Sequence, residues 1–115
     1  MIEKTILDYL SDCLPDVPVY MEVPADRPAF FVVIEKTGSS RINHIDSATI
    51  AVQSYGATLY DAAALNERIK TAMLYGAVTL DSISRVSLNS DYNYTDTASK
   101  HYRYQAVFDV TFYDD

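Results

Sequence analysis

The sequence predicts an α+β fold: a single domain in which two helices pack on a mostly antiparallel sheet of two hairpins plus a short edge strand. Three observations predict it: two stretches with apolar residues at helical spacing, two pairs of neighbouring strand-like stretches, and a length of 115 residues. The element order is α-β-β-β-α-β-β. With 49% hydrophobic and 22% charged residues, the composition is that of an ordered globular chain. We expect residues 1–115 to form one domain.

The first predicted helix begins at Ile2 and ends where Pro15 forbids its continuation. The single cysteine, Cys13, excludes an internal disulfide, and we expect it to be buried in this helix. A short strand within 17–23 lies between prolines, which favours the edge of a sheet. The apolar residues of the helix recur at Ile2, Ile6, Leu7, Leu10, Cys13 and Leu14.

Two strand-like stretches, Ala29–Thr37 and Ile45–Tyr55, flank a predicted loop, Gly38–His44, and are typical of a hairpin. We chose the register that puts apolar residues opposite one another on one face. This register pairs Lys36 with Asp46. It leaves a second, semi-polar face suited to a helix or a neighbouring subunit, with residues such as Phe31, Val33 and Thr49.

A longer second helix is predicted from a cap at Thr58 to a C-terminal Gly76. We expect Leu65, Ile69 and Met73 to pack on the apolar sheet face that includes Val32, Ile34, Ile50 and Val86, since helical period and strand alternation each offer one such surface. The charged side chains on the far side of this helix are explained by exposure to solvent and do not indicate a function.

The second predicted hairpin consists of Ile83–Tyr92 and His101–Tyr113. Its preferred register pairs Arg85 with Asp109, Asp91 with Arg103, and Tyr92 with Tyr102. Because the second helix joins the third strand to the fourth, a crossover makes those two strands parallel. The two hairpin loops, Gly38–His44 and Asn93–Lys100, are then expected at opposite ends of the sheet.

Charge and composition favour a protein partner. The 16 acidic and 9 basic side chains give a net charge of −7, and the basic residues are scattered along the sequence, which disfavours a nucleic-acid ligand. The 10 tyrosines are typical of interface cores. We expect a soluble chain with no membrane partner, because the sequence has no transmembrane stretch and its N-terminus does not have the pattern of a signal peptide.

No pattern in the sequence predicts catalysis, a cofactor or a metal. His44 has only Asp46 near it, whereas metal sites take three or four protein ligands. Residues 91–96 imitate the start of a calcium loop but lack its glycine and its final glutamate, so a turn in which Asp and Asn bond their own backbone is preferred. The histidines are interpreted as loop and strand residues, and we expect no enzyme activity.

The stretch Ala51-Val52-Gln53-Ser54-Tyr55-Gly56 leads into a helix with Ala62-Ala63-Ala64-Leu65, and Ile83-Ser84-Arg85-Val86 and Tyr102-Arg103-Tyr104-Gln105 follow. In this order and spacing, over nearly the whole chain, the sequence resembles the tail-terminator or tail-completion proteins of long-tailed phages. The resemblance implies an α+β subunit of a hexameric ring that caps the tail tube, stops its growth and meets the head connector. It also implies assembly in the host cytoplasm and a place in the tail or neck of the virion.

Under this resemblance the partners are further copies of the chain, the tail-tube protein and the head-tail connector, with no sequence-specific nucleic acid. We expect contacts through sheet edges and hairpin tips. Another neck or head-completion protein, a tail-tube subunit, and a small enzyme with a site between chains remain alternatives. The candidate interaction residues are Arg41, Ile42, Asn43, His44, Tyr92, Tyr94, Asp96, Lys100, Tyr102 and Tyr104.

Overall fold

The computed structural model describes residues 1–113, so the last two residues of the predicted domain lie outside it. The chain folds into two helices and a five-stranded, mostly antiparallel sheet, as predicted. In chain order the elements are α1 (Ile2–Cys13), β1 (Val19–Tyr20), β2 (Phe31–Ile42), β3 (Ile45–Tyr55), α2 (Leu59–Tyr75), a 3₁₀ turn (Ala77–Thr79), β4 (Ile83–Asn93) and β5 (Arg103–Phe112).

The strand order in the sheet is β1-β2-β3-β5-β4. β1 pairs in parallel with β2, and every other neighbouring pair is antiparallel. β5 lies between β3 and β4, which therefore run in the same direction. Asp46 and Ile83 both pair with Phe112 at one end of the sheet, whereas Tyr55 pairs with Arg103 at the other. The two hairpin connections thus lie at opposite ends, as the crossover argument predicts.

Both helices contribute to one core on one face of the sheet, called here the helix face. Leu65, Ile69 and Met73 of α2 are at most 4% exposed and belong to this core, as predicted. α1 supplies every fourth residue, which is the spacing that puts side chains on one side of a helix. The strand residues of the core are Val32, Ile34, Ala48, Ile50, Val52, Ile83, Ala106, Phe108, Val110 and Phe112, with Val86 packed against them.

The predicted ends of α2 are confirmed, although the reason for a glycine at its C-terminal end differs from the expected one. The Thr58 hydroxyl accepts a hydrogen bond from the Asp61 amide at 3.1 Å, which caps the first turn. Gly76 has a φ of −118°, so a left-handed cap does not explain the glycine. A β-carbon at Gly76 would collide with the Tyr9 hydroxyl, which donates to the Ala72 carbonyl at 2.7 Å. Gly76 therefore leaves room for a contact between α1 and α2.

The predicted register of the first hairpin is wrong. Lys36 lies opposite Ile50, and Asp46 lies opposite Arg41. The strands continue through most of the predicted loop to a two-residue turn at Asn43 and His44, whose φ angles are 52° and 67°. Both angles are left-handed, as the tightest hairpin turns require. This turn shifts the pairing along the whole hairpin.

The predicted register of the second hairpin is also wrong, because the pairing of β4 with β5 is irregular. Arg85 pairs with Thr111, Asp91 with Ala106, and Tyr92 with Gln105. The pairing shifts between Ile83 and Arg85 and again between Leu88 and Ser90, so β4 carries two irregularities. A bulge adds a residue to one strand, which constant-register pairing cannot anticipate.

The irregular pairing lies on the outer strands, whereas the central pair β3 and β5 is regular. β2 shifts register between Lys36 and Gly38, and β4 shifts twice, but β3 and β5 pair without interruption from Asp46–Phe112 to Tyr55–Arg103. Bulges of this kind bend and twist the strand that carries them.

Cys13 is exposed, contrary to the prediction of a buried cysteine. The buried side of α1 consists of Ile2, Ile6 and Leu10, and Leu14 continues this line just after the helix. Cys13 precedes Leu14 by one position, which rotates its side chain away from the core.

Candidate assembly surfaces

The first tip, residues 41–46, is a tight hairpin end that carries apolar side chains. Ile42 and Ile45 pair across it and are 70% and 40% exposed. Asn43 and His44 occupy the turn itself and are both exposed. All four candidate residues of this end, Arg41, Ile42, Asn43 and His44, are therefore together and accessible, on a turn held by strand pairing on both sides.

An ion pair fixes the first tip. Arg41 Nε and Nη2 lie 2.6 Å and 2.9 Å from the two carboxylate oxygens of Asp46. This bidentate geometry is the strongest arrangement for an arginine and a carboxylate. The hydrogen bonds from Arg41 lower the pKa of Asp46 below its usual value. The pair makes Asp46 a structural residue of the turn.

The second tip, residues 93–103, is a longer connection organised by its own side chains. Asn93 Oδ1 accepts from the Thr95 amide at 3.0 Å, and Asp96 Oδ1 accepts from the amides of Ala98 and Ser99 at 3.1 Å and 3.4 Å. The hydrogen bonds from Ser99 are the main reason that the pKa of Asp96 is lowered. The predicted Asx-type turn is thus confirmed.

The candidate tyrosines of the second hairpin divide between the two faces of the sheet. The rings of Tyr92 and Tyr94 meet edge to face at 5.8 Å, and the two residues are 41% and 43% exposed. Tyr104 instead lies on the helix face, where it lines a cavity of about 480 Å³ with Tyr60 and Asn66 of α2. Tyr102 borders a different cavity, so the four rings do not form one cluster.

The sheet face opposite the helices, called here the open face, carries a second and smaller cluster. It contains Phe31, Val33 and Tyr55, with Tyr20 packed against them, and no residue of either helix. Phe31 and Tyr55 stack with ring centroids 4.3 Å apart. The alternative of a helix covering this face is therefore not realised within residues 1–113.

A chain of hydrogen bonds crosses the open face. Arg103 Nη1 donates to the Tyr55 hydroxyl at 3.0 Å, and that hydroxyl donates to Gln53 Oε1 at 3.3 Å. Gln53 Nε2 then donates to Gln105 Oε1 at 2.9 Å, and Gln105 Nε2 donates to the Tyr92 hydroxyl at 2.5 Å. Every link points the same way, so the hydroxyl proton of Tyr92 at the end is left to bond outward.

The part of the chain that the structure describes contains no group of three or more His, Cys, Asp or Glu side chains placed to hold a metal ion. His44 and His101 lie at opposite ends of the sheet. Nor does any helix within residues 1–113 have the length and apolar character needed to cross a membrane. Large exposed apolar and aromatic side chains lie at the two tips, with Ile42, Ile45, Tyr92 and Tyr94, and on the outer side of α2, with Tyr60 and Tyr75.

Sequence reasoning missed Arg27 and Tyr55. The guanidinium carbon of Arg27 lies 5.6 Å from the centroid of the Tyr55 ring, and that of Arg103 lies 5.8 Å from the same centroid. The observed register of the first hairpin places Phe31 opposite Tyr55. The sequence signal for this register is Asn43, because Asn tolerates the left-handed φ that a two-residue turn at this position requires.

No model of a known protein family matches the sequence, and no curated protein does.

Proposed function

We propose that this chain is a structural subunit of a phage tail, which closes into a hexameric ring on the end of the tail tube, stops its growth and docks to the head connector. The proposal rests on the resemblance to tail-terminator proteins and is carried by one structural observation. The two tips lie at opposite ends of one sheet. A subunit built in this way, set in a ring, can offer one tip to the tube and the other to the connector.

The exposed side chains of the tips support contact with partners. Ile42 at the first tip is 70% exposed, and Tyr94 at the second is 43% exposed. Large apolar and aromatic side chains are enriched at the buried centres of interfaces. An isoleucine at the end of a fixed turn also loses little freedom on binding, because the turn is already held by the Arg41–Asp46 pair.

The accessible part of the open face, around Thr49, Val107 and Asp109, supports contact between neighbouring copies, whereas Phe31, Val33 and Tyr55 are at most 5% exposed within the single chain. A cyclic ring needs two different surfaces on each subunit, since each copy contacts its neighbours head to tail. The open face and the outer side of the helices are two such surfaces. The net charge of −7 also suits a channel through which DNA passes without adhering.

Charged substitutions at the tips test the proposal. Ile42→Asp should leave thermal stability nearly unchanged, within about 0.5 kcal/mol, because its side chain is exposed. Tyr94→Asp should cost about 1–2 kcal/mol, which still leaves the chain folded, because it removes ring contacts with Tyr92 and Arg103. Each should reduce the number of capped tubes, counted by negative-stain microscopy with tail tubes of the same phage, and the yield of infectious particles. Val78→Asp is the matched control, since Val78 is 42% exposed in the 3₁₀ turn Ala77–Thr79, outside both tips and both helices.

Normal capping by both tip variants would contradict the assignment of the tips. The purified protein also separates the alternatives. A tube subunit should polymerise into long tubes, whereas a terminator should stop at rings or monomers, and an enzyme should have a pocket with convergent titratable groups. Long tubes formed by the chain alone would replace the terminator proposal with the tube-subunit alternative.

A further inference from the structure

Three basic side chains that are far apart in the sequence meet at one end of the sheet. Arg27 and Lys100 line a cavity of about 220 Å³ together with His101 and Tyr55. Arg103 reaches the same tyrosine, donating from Nη1 to its hydroxyl at 3.0 Å. The folded chain thus concentrates positive charge that the sequence disperses.

Tyr55 contacts two of these cations, and Tyr94 also holds Arg103, whose guanidinium carbon lies 4.4 Å from the Tyr94 ring centroid. The guanidinium carbons of Arg27 and Arg103 lie 5.6 Å and 5.8 Å from the Tyr55 ring centroid, within the range of cation–π attraction. Phe31 stacks on the same ring at 4.3 Å and also lies 6.0 Å from the Arg27 guanidinium carbon. The stacked rings form a platform that orients the cations before any ligand arrives.

The three cations have no carboxylate partner within residues 1–113. Each of five other basic side chains lies within 4.0 Å of a carboxylate, so ion pairing is the rule in this acidic chain. No such carboxylate within residues 1–113 lies near Arg27, Lys100 or Arg103, and the same is true of Arg85 at the far end of the sheet. The nearby Asp96 is already bonded by two backbone amides. The basic residues that do form pairs are Lys4, Lys36, Arg41, Arg68 and Lys70.

We propose that Arg27, Lys100 and Arg103, gathered around Tyr55, form a docking site for the carboxylates of an acidic segment of a protein partner. Guanidinium groups match the geometry of carboxylates, and a cavity of about 220 Å³ admits the ends of one or two acidic side chains. A long polyanion such as nucleic acid would extend beyond the cluster onto a chain of net charge −7 and be repelled there. A short acidic segment meets only the cluster.

A hexaglutamate peptide is the probe for this site. Titrated into the ¹⁵N-labelled chain at about 0.15 M salt, where distant charges are screened, it should give saturable shifts in the amide signals around Tyr55 and Lys100. Arg27→Glu should weaken binding about tenfold, since it replaces an attraction with a repulsion, and Arg27→Lys should keep most of it. Arg27 is exposed and makes no hydrogen bond within residues 1–113, so these variants should fold.

Arg85→Glu is the matched control. It makes the same change in net charge at an exposed, unpaired arginine on β4 near the opposite end of the sheet. We expect it to change the affinity for hexaglutamate by less than about twofold, because the two ends are more than a Debye length apart at physiological salt, about 8 Å.

Three results would overturn the proposal: no saturable shifts, an equal loss of affinity in Arg85→Glu, or tighter binding of hexathymidylate than of hexaglutamate. The second would show a response to net charge alone, and the third would assign the site to nucleic acid. The experiment measures peptide binding by the single chain, so its failure would leave the proposed ring and its tip contacts standing.

Discussion

The two faces of the same sheet are built from different chemistry. On the helix face, Val32, Ile50 and Phe108 have no exposed surface and pack under α2. On the open face, Gln53 and Gln105 bond to each other, in a chain that runs from Arg103 to Tyr92. Alternate residues of the same strands therefore contribute to an apolar core on one face and to a hydrogen-bonded chain on the other, because successive side chains of a strand point to opposite faces.

This difference shows which face of the sheet contributes most to the stability of the fold. Burial of apolar side chains contributes about 1.5–3 kcal/mol for each large residue, whereas a hydrogen bond contributes about 0.5–1.5 kcal/mol net. The helix face therefore dominates folding. The open face gains less, but hydrogen bonds hold its polar side chains in one arrangement.

The largest effect is expected on the helix face. Ile69→Ala should lower the free energy of unfolding by about 2–5 kcal/mol, because Ile69 is fully buried and its loss leaves a cavity between α2 and the sheet. Denaturation in urea measures the change. Val107→Ala is the matched control on the open face, where the half-buried valine should cost less than about 1.5 kcal/mol. Equal losses in the two variants would remove the distinction between the faces.

A smaller effect is expected for the hydrogen-bond chain of the open face. Gln53→Ala should destabilise the fold by about 1–3 kcal/mol, since Gln53 is 8% exposed and its loss leaves the Tyr55 hydroxyl without an acceptor and Gln105 without a donor. The same denaturation measurement applies.

Tyr92→Phe is the comparison for Gln53→Ala, because Tyr92 ends the chain and is 41% exposed. Water can replace its hydroxyl as the acceptor for Gln105, so we expect a change within about 0.5 kcal/mol. A larger loss in Tyr92→Phe than in Gln53→Ala would show that the chain is not organised from its buried centre.

The smallest effect concerns pH and the first tip. The pKa of Asp46 is lowered in the folded state by its hydrogen bonds from Arg41, relative to an ordinary value of 3.8. The pair therefore stabilises the fold above that ordinary value, and the stabilisation is lost as pH falls through the lower folded-state pKa. Melting temperatures measured from pH 6 down to about pH 2 should fall most steeply at the acid end.

Asp46→Asn tests whether the Asp46 carboxylate causes the loss of stability at acid pH. It removes the titrating group, so the acid-dependent part of the loss should become shallower, while the pKa values of Asp16 and Asp96, also lowered, keep part of the slope. A variant with an unchanged slope would show that the Arg41–Asp46 pair does not form in solution.

The helices, their caps and the helix face could be predicted because each depends on local spacing. Ile2, Ile6 and Leu10 recur at helical period, Thr58 lies three residues before Asp61, and the apolar residues of the strands alternate. The registers could not be predicted by assuming constant pairing. Asn43 and His44 take left-handed conformations and so shorten the turn, and the irregularities of β4 arise from its contacts in three dimensions.

The candidate site was predicted in part, for a similar reason. The tips follow from strand order, and the structure places Ile42 and Tyr94 on the surface as expected. The cations around Tyr55 come from β5 and from two connecting segments, and nothing in their sequence spacing brings them together. Their meeting depends on the register that places Phe31 beside Tyr55.

The register shifts of β2 and β4 affect whether strands from other molecules can add to the sheet. β4 forms one border of the sheet, and β2 forms the other beyond the two residues that pair with β1, so an incoming strand would add at these borders if their main-chain groups formed a regular ladder. The extra residues interrupt that ladder, so a straight strand from another molecule can satisfy only part of it. The sheet is therefore a poor template for the addition of strands from other molecules at these borders.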